Sequence, residues 1–433
     1  MFENSLMNQI RERFCHVDTC PYSGPRIFFE NAGGGLTLKS VVEVNTELAG
    51  IPDNQGRDNP ASHELVRIIA EARDNMRTFL GVSEGPVFTG ESGTELIFRM
   101  VRAAALGSAA GGNMIGSTLE HPATVSASKR WAKIAGKEYR AAVHSNDSAT
   151  ITAEDYAGVV DADTRVATVI QTSPVTGMTV DIDAVVKTIR AASPECIIIL
   201  DGIQHAAHGG LSVDEYDIDG YAISAYKVFS RHNYGFAWLS PRIATLPHDH
   251  LDGTPADFWE MGTRDTSAFA CTSKVVEYFD WLGSKFTDAT DRRSRILAAG
   301  KAIGEHEHGL MDLMIDGKDA QRGLRDMSEV YVIGGHDNPS REGMLSIIVD
   351  GKPCAEVVAE LNAKGIRTHV RKADYFSGNI LEPLGYPTCI RVSMCHYNTE
   401  REVLTFLHVL EAIIADTSDR AHAAQDSADA SAA

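Results

Sequence analysis

Ile197-Ile-Ile-Leu-Asp-Gly-Ile-Gln-His205 opens as an uninterrupted apolar run and stops on an acid followed by a glycine. A short run that is apolar at every position and ends in a turn reads as a strand covered on both faces of a parallel sheet. Such sheets bind ligands in the crevice at the carboxyl ends of their strands, which puts Asp201 beside a ligand. A second short strand, in Tyr221-Ala-Ile-Ser-Ala-Tyr-Lys227, ends at Ser224, and the lysine that follows is flanked by Tyr226, Val228 and Phe229. Those flanks are too apolar for an ordinary surface lysine. Burial disfavours the charged amine, lowers its pKa and frees its lone pair, so Lys227 is a candidate Schiff-base residue. The plainer alternative is an N-cap role for Asp201 and a half-exposed lysine.

An acid at one strand end and a lysine after the next is the pair that pyridoxal 5'-phosphate chemistry needs. The lysine holds the aldehyde as an imine, and the acid keeps the pyridine nitrogen protonated so that the ring draws electrons from the substrate Cα. The rest of the composition leaves room for an enzyme. The chain has 433 residues, space for two to three domains at ~150 residues each, and is 43% hydrophobic, enough for a sizeable core. Its net charge of −19 argues against nucleic acid or an anionic membrane as a partner, since both require clustered Lys and Arg. The chain contains no apolar run near ~18 residues, and its first residues lack the basic start and apolar core of a signal peptide, so a cytoplasmic protein is expected. The seven cysteines are scattered without a Cys-x-x-Cys pair, which reads as reduced thiols and no metal site.

Outward from the two strands, Arg26-Ile-Phe-Phe-Glu-Asn-Ala-Gly-Gly-Gly35 is a strand running into glycines. Ser62 to Leu80 is an amphipathic helix with Leu65, Ile69, Ala72, Met76 and Leu80 on one face and a cap near Ser62 or His63. Pro86-Val-Phe-Thr-Gly-Glu-Ser-Gly-Thr-Glu95 reads as strand, turn and helix start, a geometry that aims free backbone N–H groups and a helix dipole at an anion. No Walker lysine or Gly-x-Gly-x-x-Gly accompanies it, so the anion is not a nucleotide. Asp181 to Ala192 supplies a crossover helix, and His232 to Leu239 a strand that closes the sheet. His205 and His208 have no carboxylate or third ligand at metal spacing and read as structural or pocket-wall residues. Beyond about residue 285 short strands alternate with long helices. The expected fold is α/β, a doubly wound, mostly parallel sheet with a smaller α+β C-terminal domain. The expected divisions are an arm (1–25), a large domain (26–285), a small domain (286–415) and a disordered tail (416–433).

From about Arg26 to Ile414 the motifs follow the order of a known family. The chain resembles class V aminotransferase-fold enzymes of the cysteine desulfurase type, which implies fold type I, bound pyridoxal 5'-phosphate, an amino-acid substrate and a homodimer with sites at the subunit interface. The resemblance assigns Ser92, Gly93 and Thr94 to the phosphate cup. It also gives His121, in Leu119-Glu-His-Pro-Ala-Thr124, to the face of the cofactor ring, with a possible part in proton transfer. Gln204, three residues after the acid, corresponds to a ligand of the phenolic oxygen. The family's Asn at that oxygen is Pro174 here, so Ser173 is the substitute. Ser224-Ala-Tyr-Lys227 matches Ser-x-His-Lys with Tyr226 for the histidine, making Ser224 a cofactor residue. Thr263, in a Gly-Thr turn, corresponds to a ligand of the neighbouring subunit's phosphate. Asn31, Ala32, Gly33 and Gly34 correspond to the loop lining the substrate carboxylate. Arg391, in Cys389-Ile-Arg-Val-Ser-Met-Cys-His-Tyr-Asn-Thr-Glu400, stands at the carboxylate-binding position, which a guanidinium fork suits.

One family residue is missing. The family's Arg-Thr-Gly-His-His-Cys corresponds to Arg367-Thr-His-Val-Arg-Lys372, with Lys372 in place of the cysteine. The implied activity is therefore a desulfurase-like lyase working by β-elimination or C–S lysis without a persulfide, catalysed by Lys227, His121 and Asp201. Class V amino-acid transamination is the alternative, followed by epimerisation or non-catalytic cofactor binding. Arg371 and Lys372 suggest a second anion on the substrate, although strand alternation directs only one of them inward.

Overall fold

The computed structural model describes residues 1–432, with side chains through residue 417. The expected tail beyond that point lies outside the described side chains. A large sheet is built from β1 (Val87–Gly90), β2 (Asn113–Ser117), β3 (Glu138–Ala142), β4 (Thr164–Ile170), β5 (Ile197–Asp201), β6 (Gly220–Ser224) and β7 (Gly235–Leu239). Its spatial order is β1-β7-β6-β5-β4-β2-β3. All neighbours are parallel except the two pairs that β7 makes. The sequence placed β7 as the closing strand; instead it lies inside the sheet, between β1 and β6, and β1 forms that edge. Every residue of β5 and β6 is buried, as the continuous apolar runs require of strands covered on both faces.

The covering helices start where local chemistry dictates. The helix read from Ser62 begins earlier, as α1 (Pro60–Leu80). Asn59 caps it by accepting from the Ser62 amide, Pro60 opens the first turn, and Gly81 closes it at φ 69°. Proline's fixed φ suits a first helical position, and glycine tolerates the left-handed conformation at a helix end. Helix α2 (Gly93–Gly107) starts after Ser92, and α3 (Pro122–Ile134) after His121. Helix α4 (Ile182–Ala192) is capped by Asp181 and crosses from β4 to β5.

A second, smaller sheet of β8 (Val330–Val332), β9 (Met344–Val349), β10 (His369–Lys372) and β11 (Thr388–Ser393) is antiparallel throughout, in the order β8-β9-β11-β10. Helices α7 (Cys354–Ala363) and α8 (Glu400–Ala432) cover it. Among the described residues no helix is long and apolar enough to cross a membrane.

Two segments join the two units. Helix α5 (Thr266–Gly283) belongs to the large core, but α6 (Arg292–Asp316) serves both: Ile296, Ala299 and Ile303 pack into the large core, and Leu310, Met314 and Ile315 into the small one. The strand expected to begin the large domain behaves differently. Ile27–Phe28 pairs in parallel with Ile366–Arg367, and Phe29 enters the small core. The chain from Ile366 to Lys372 forms two strands, Ile366–Arg367 pairing with this N-terminal segment and His369–Lys372 forming β10.

Asn31 fixes that joint. Its amide donates to the Ser393 carbonyl at 2.9 Å and to Asn398 Oδ1 at 3.2 Å, and its carbonyl oxygen accepts from the Tyr397 hydroxyl. Replacing it by alanine leaves buried polar groups without partners, each worth ~1–3 kcal/mol. Asn31→Ala is expected to lower stability by about 2–3 kcal/mol in chemical denaturation. An unchanged midpoint would show that the joint does not depend on this residue.

Candidate active site

The lysine and the acid lie together at the carboxyl end of the large sheet. Lys227 is 8% exposed and donates to Gln204 Oε1 at 2.8 Å. Burial, then Arg391, push its pKa down to about 7; Asp201 pushes back and Arg371 adds to the fall. The amine is thus largely neutral just above neutral pH, the form that attacks a carbonyl. Phe229, two residues on, holds φ 60° while fully buried, an uncommon conformation for an aromatic residue that turns the chain sharply behind the lysine.

Asp201 Oδ2 accepts from Thr124 Oγ1 at 2.8 Å and Oδ1 from the Ile203 amide at 3.1 Å. No salt-bridge partner accompanies this buried carboxylate among the described residues, and burial raises its pKa. The motif reading did not single out Thr124. Behind Asp201 a second buried carboxyl, Glu120, is pushed up to about 8 by burial and by Asp201, and accepts from the Ile170 amide at 3.0 Å. His121 is half-buried, and its Nδ1 accepts from the Ala123 amide at 3.2 Å. Burial, Lys227 and Arg371 lower its pKa to about 3, so the ring is neutral and flat at working pH.

At the start of α2 the Ser92 hydroxyl accepts from the Glu95 amide at 3.1 Å, whereas the Gly93 and Thr94 amides have no protein acceptor among the described residues. A side chain on Gly93 would collide with Ser224 Oγ and Ile203, which places the end of β6 against this helix terminus. Gln204, Ser224 and Lys227 are therefore brought together with the Ser92–Thr94 turn. Thr263 is not; it is exposed on a loop whose next residue, Arg264, pairs with Glu91 beside the same terminus. Ser173 is buried and its hydroxyl accepts from the Val175 and Thr176 amides at 3.3 and 3.1 Å, closing its own turn.

Arg391 reaches the cleft from the small sheet. It is 3% exposed, and Nη1 donates to the Pro174 carbonyl at 2.8 Å. Its buried Nε has no hydrogen-bond partner among the described residues. A Cβ on Gly33 would lie 3.5 Å from Nη2, and one on Gly34 3.1 Å from the Tyr226 ring, so the glycine loop lies against both groups. Ala32 contributes its amide to Ser393 Oγ at 2.9 Å. Two expected substrate residues are placed elsewhere. Asn31 has its amide and carbonyl engaged in the joint. Lys372 is exposed and lines a groove with Val370, its neighbour on the same face of the strand, because strand alternation turns Arg371 inward and Lys372 out.

His205 and His208 also depart from the reading of the sequence, which gave them no carboxylate. His205 Nδ1 lies 2.8 Å from Glu342 and His208 Nδ1 2.8 Å from Glu307, pairs separated by 137 and 99 positions. Sequence spacing could not show them.

Pyridoxal 5'-phosphate fits these donors. A buried carboxylate without a cation suits a protonated ring nitrogen, free amides at a helix terminus beside Ser224 suit a phosphate, and a near-neutral buried lysine suits an aldehyde.

Comparison with known proteins gives the same picture. The model of the family "Aminotransferase class-V" matches residues 27–406. The chain is 24% identical over 412 residues to the aminotransferase-like protein FGM3 of Gibberella zeae, covering 90% of this chain and 95% of that one. It is 23% identical over 414 residues to the cysteine desulfurase-like protein ustD of Aspergillus flavus, covering 90% and 88%. The structure of the cysteine desulfurase CsdA from Escherichia coli superposes with a TM-score of 0.76 at 19% identity, over 95% of this chain and 98% of that one, and so shares the fold.

The shifted amine predicts how the cofactor is captured. Borohydride should fix a phosphopyridoxyl group on Lys227. The rate of capture by cofactor-free protein should rise about tenfold per pH unit below about 7 and level off above it, since only the neutral amine reacts. A rate still climbing at pH 9, or a label on another lysine, contradicts the buried-amine assignment.

Proposed function

The chain belongs to the aminotransferase class-V family and is a pyridoxal phosphate-dependent enzyme, and from that premise we propose that it is a desulfurase-like lyase. It would act at the Cα of an amino acid, by β-elimination or C–S lysis, without a persulfide-forming cysteine. When bound, the cofactor supplies an electron sink that stabilises negative charge at the substrate Cα. Lys227, released to the neutral amine, takes and returns the Cα proton. Asp201, oriented by Thr124 and the Ile203 amide, holds the ring nitrogen's proton. The neutral His121 ring would cover the flat face of the bound cofactor, Gln204 and Ser173 would serve its phenolic oxygen, and Ser92, Gly93, Thr94 and Ser224 would hold its phosphate. Arg391 would bind the α-carboxylate of the substrate, beside Ala32 and Gly33.

The observation that carries the lyase reading is that Lys372 stands where the family motif has its cysteine. No cysteine lies between Cys354 and Cys389. Cys389, directly opposite Arg371 in the small sheet, is fully buried and pushed up to about 11, mainly by burial, so it presents no thiolate to accept sulfur. Transamination is the second reading, and the near full-length similarity to an aminotransferase-like protein supports it. The exposed Thr263 loop supports a homodimer in which that threonine reaches the partner's phosphate.

An amino-acid panel separates the two reactions. The lyase should release ammonia and a keto acid while the cofactor spectrum returns to its starting form. Accumulation of the pyridoxamine form without ammonia establishes transamination instead. Arg391→Lys should raise KM at least tenfold despite the retained charge, because a point charge does not reproduce the two-pronged contact. An unchanged KM would remove Arg391 from the substrate site.

A further inference from the structure

The inward-facing arginine is not used in the chemistry above. Arg371 lies on β10 opposite Cys389, and Arg391 lies on β11 opposite His369, so both arginines share one face of the small sheet as diagonal neighbours. Diagonal neighbours lie roughly 7–8 Å apart at the backbone, a gap that two long side chains close around a small ligand. The face is the one that meets the large unit: Arg391 binds the Pro174 carbonyl and Ser346, opposite Arg391 on β9, binds the Val175 carbonyl at 2.6 Å.

Arg371 is half-buried and held in place. Its Nη2 donates to the Phe376 carbonyl at 3.1 Å and to Ser377 Oγ, while its buried Nε has no partner. The loop it grips is docked over the site, with Asn379 Nδ2 donating to the Thr118 and Glu120 carbonyls at 2.9 and 2.7 Å, directly before His121. Among the described residues neither Arg371 nor Arg391 forms a salt bridge. The nearest acid on the loop, Asp374, accepts from the Phe376 amide at 2.9 Å in its own turn. The charge of Arg371 is nonetheless felt at Lys227, His121 and Arg391, lowering the pKa of each. Two guanidinium groups thus face one cleft, each with an unpartnered buried Nε, in a protein of net charge −19. Glu30 acts on Arg391 and Asp374 on Arg371 only as partial counterweights, since neither forms a salt bridge with them, and a dianion between the two guanidinium groups relieves their remaining repulsion.

We propose that Arg371 is the specificity-determining residue of the site, binding a second anionic group, a carboxylate or sulfinate, carried on the β-carbon of the amino-acid substrate. The assignment rests on Arg391 holding the α-carboxylate. It defines the substrate as a short dianionic amino acid, with one guanidinium for each end.

The test separates this proposal from the proposed reaction by using ligands without an amino group. The purified full-length, cofactor-loaded protein is titrated calorimetrically with succinate and with butyrate. Succinate should bind roughly tenfold to a hundredfold tighter, as one additional charge-assisted contact implies. Arg371→Gln should reduce that ratio to near one. Ser377→Ala, which breaks the loop contact but keeps the guanidinium, should retain most of it, as should Lys372→Gln on the outer face. Equal binding of the two acids by the unmodified protein overturns the proposal, and so does loss of the preference in Lys372→Gln but not in Arg371→Gln. In turnover, L-cysteine sulfinate, whose anionic β-group can also leave with its electron pair, should exceed neutral L-cysteine in kcat/KM, and Arg371→Gln should invert that order. Succinate preference without turnover of any amino acid supports the anion site and counts against the lyase; turnover of neutral amino acids with no succinate preference does the reverse.

Discussion

The site depends on keeping one amine out of water. A buried ammonium without a full counter-charge costs several kcal/mol, and Lys227 avoids that cost by tending to neutrality. The surroundings are suited to this. Gln204 accepts one hydrogen bond without supplying a charge, Arg391 and Arg371 oppose the ammonium form, and Asp201 is only a partial counterweight. Val228 and Phe229 close the apolar wall behind it. The same low-dielectric pocket raises the pKa of Asp201 and lowers that of His121, so one physical cause pushes all three groups toward their neutral forms.

This pocket lies where two units meet, and the meeting is fixed by polar groups rather than by apolar packing alone. His208 with Glu307, His205 with Glu342, and Asn31 with Ser393 and Asn398 all cross between distant parts of the chain. His208, Glu307 and the thiol of Cys395 lie within 4.8 Å of one another, all buried. Burial of such groups is tolerated only with partners, so each pair restricts how the small sheet can sit on the large one. That restriction delivers Arg391 and Arg371 to the cleft in a defined position, with α6 running through both cores as a common beam.

Much of this was legible in the chain. The run at 197–201 announced a doubly covered strand because every position is apolar, and the residue after its last leucine announced a crevice because such strands end there. The burial of Lys227 was legible from its apolar flanks, and the helix start at Ser92–Thr94 from small residues after a strand. These signals are local, arising from propensity, burial and backbone geometry over a few residues. The family match over 27–406 accords with the fold and cofactor they imply.

Other features were not local, and only the tertiary structure decided them. Strand alternation stated that one of Arg371 and Lys372 faces the cleft, but the register of β10 against β11 chose Arg371. Asn31 stood beside the glycines in sequence, yet its amide is committed to residues more than 360 positions away. The pairing of His205 with Glu342 and of His208 with Glu307, the pairing of Ile27–Phe28 with Ile366–Arg367, and the inner position of β7 are likewise contacts between segments remote in the chain. Residue type and spacing determined which groups could do chemistry and on which element each stands. Which of them converge depends on how the two sheets dock, a property of long-range packing that no short stretch of sequence encodes.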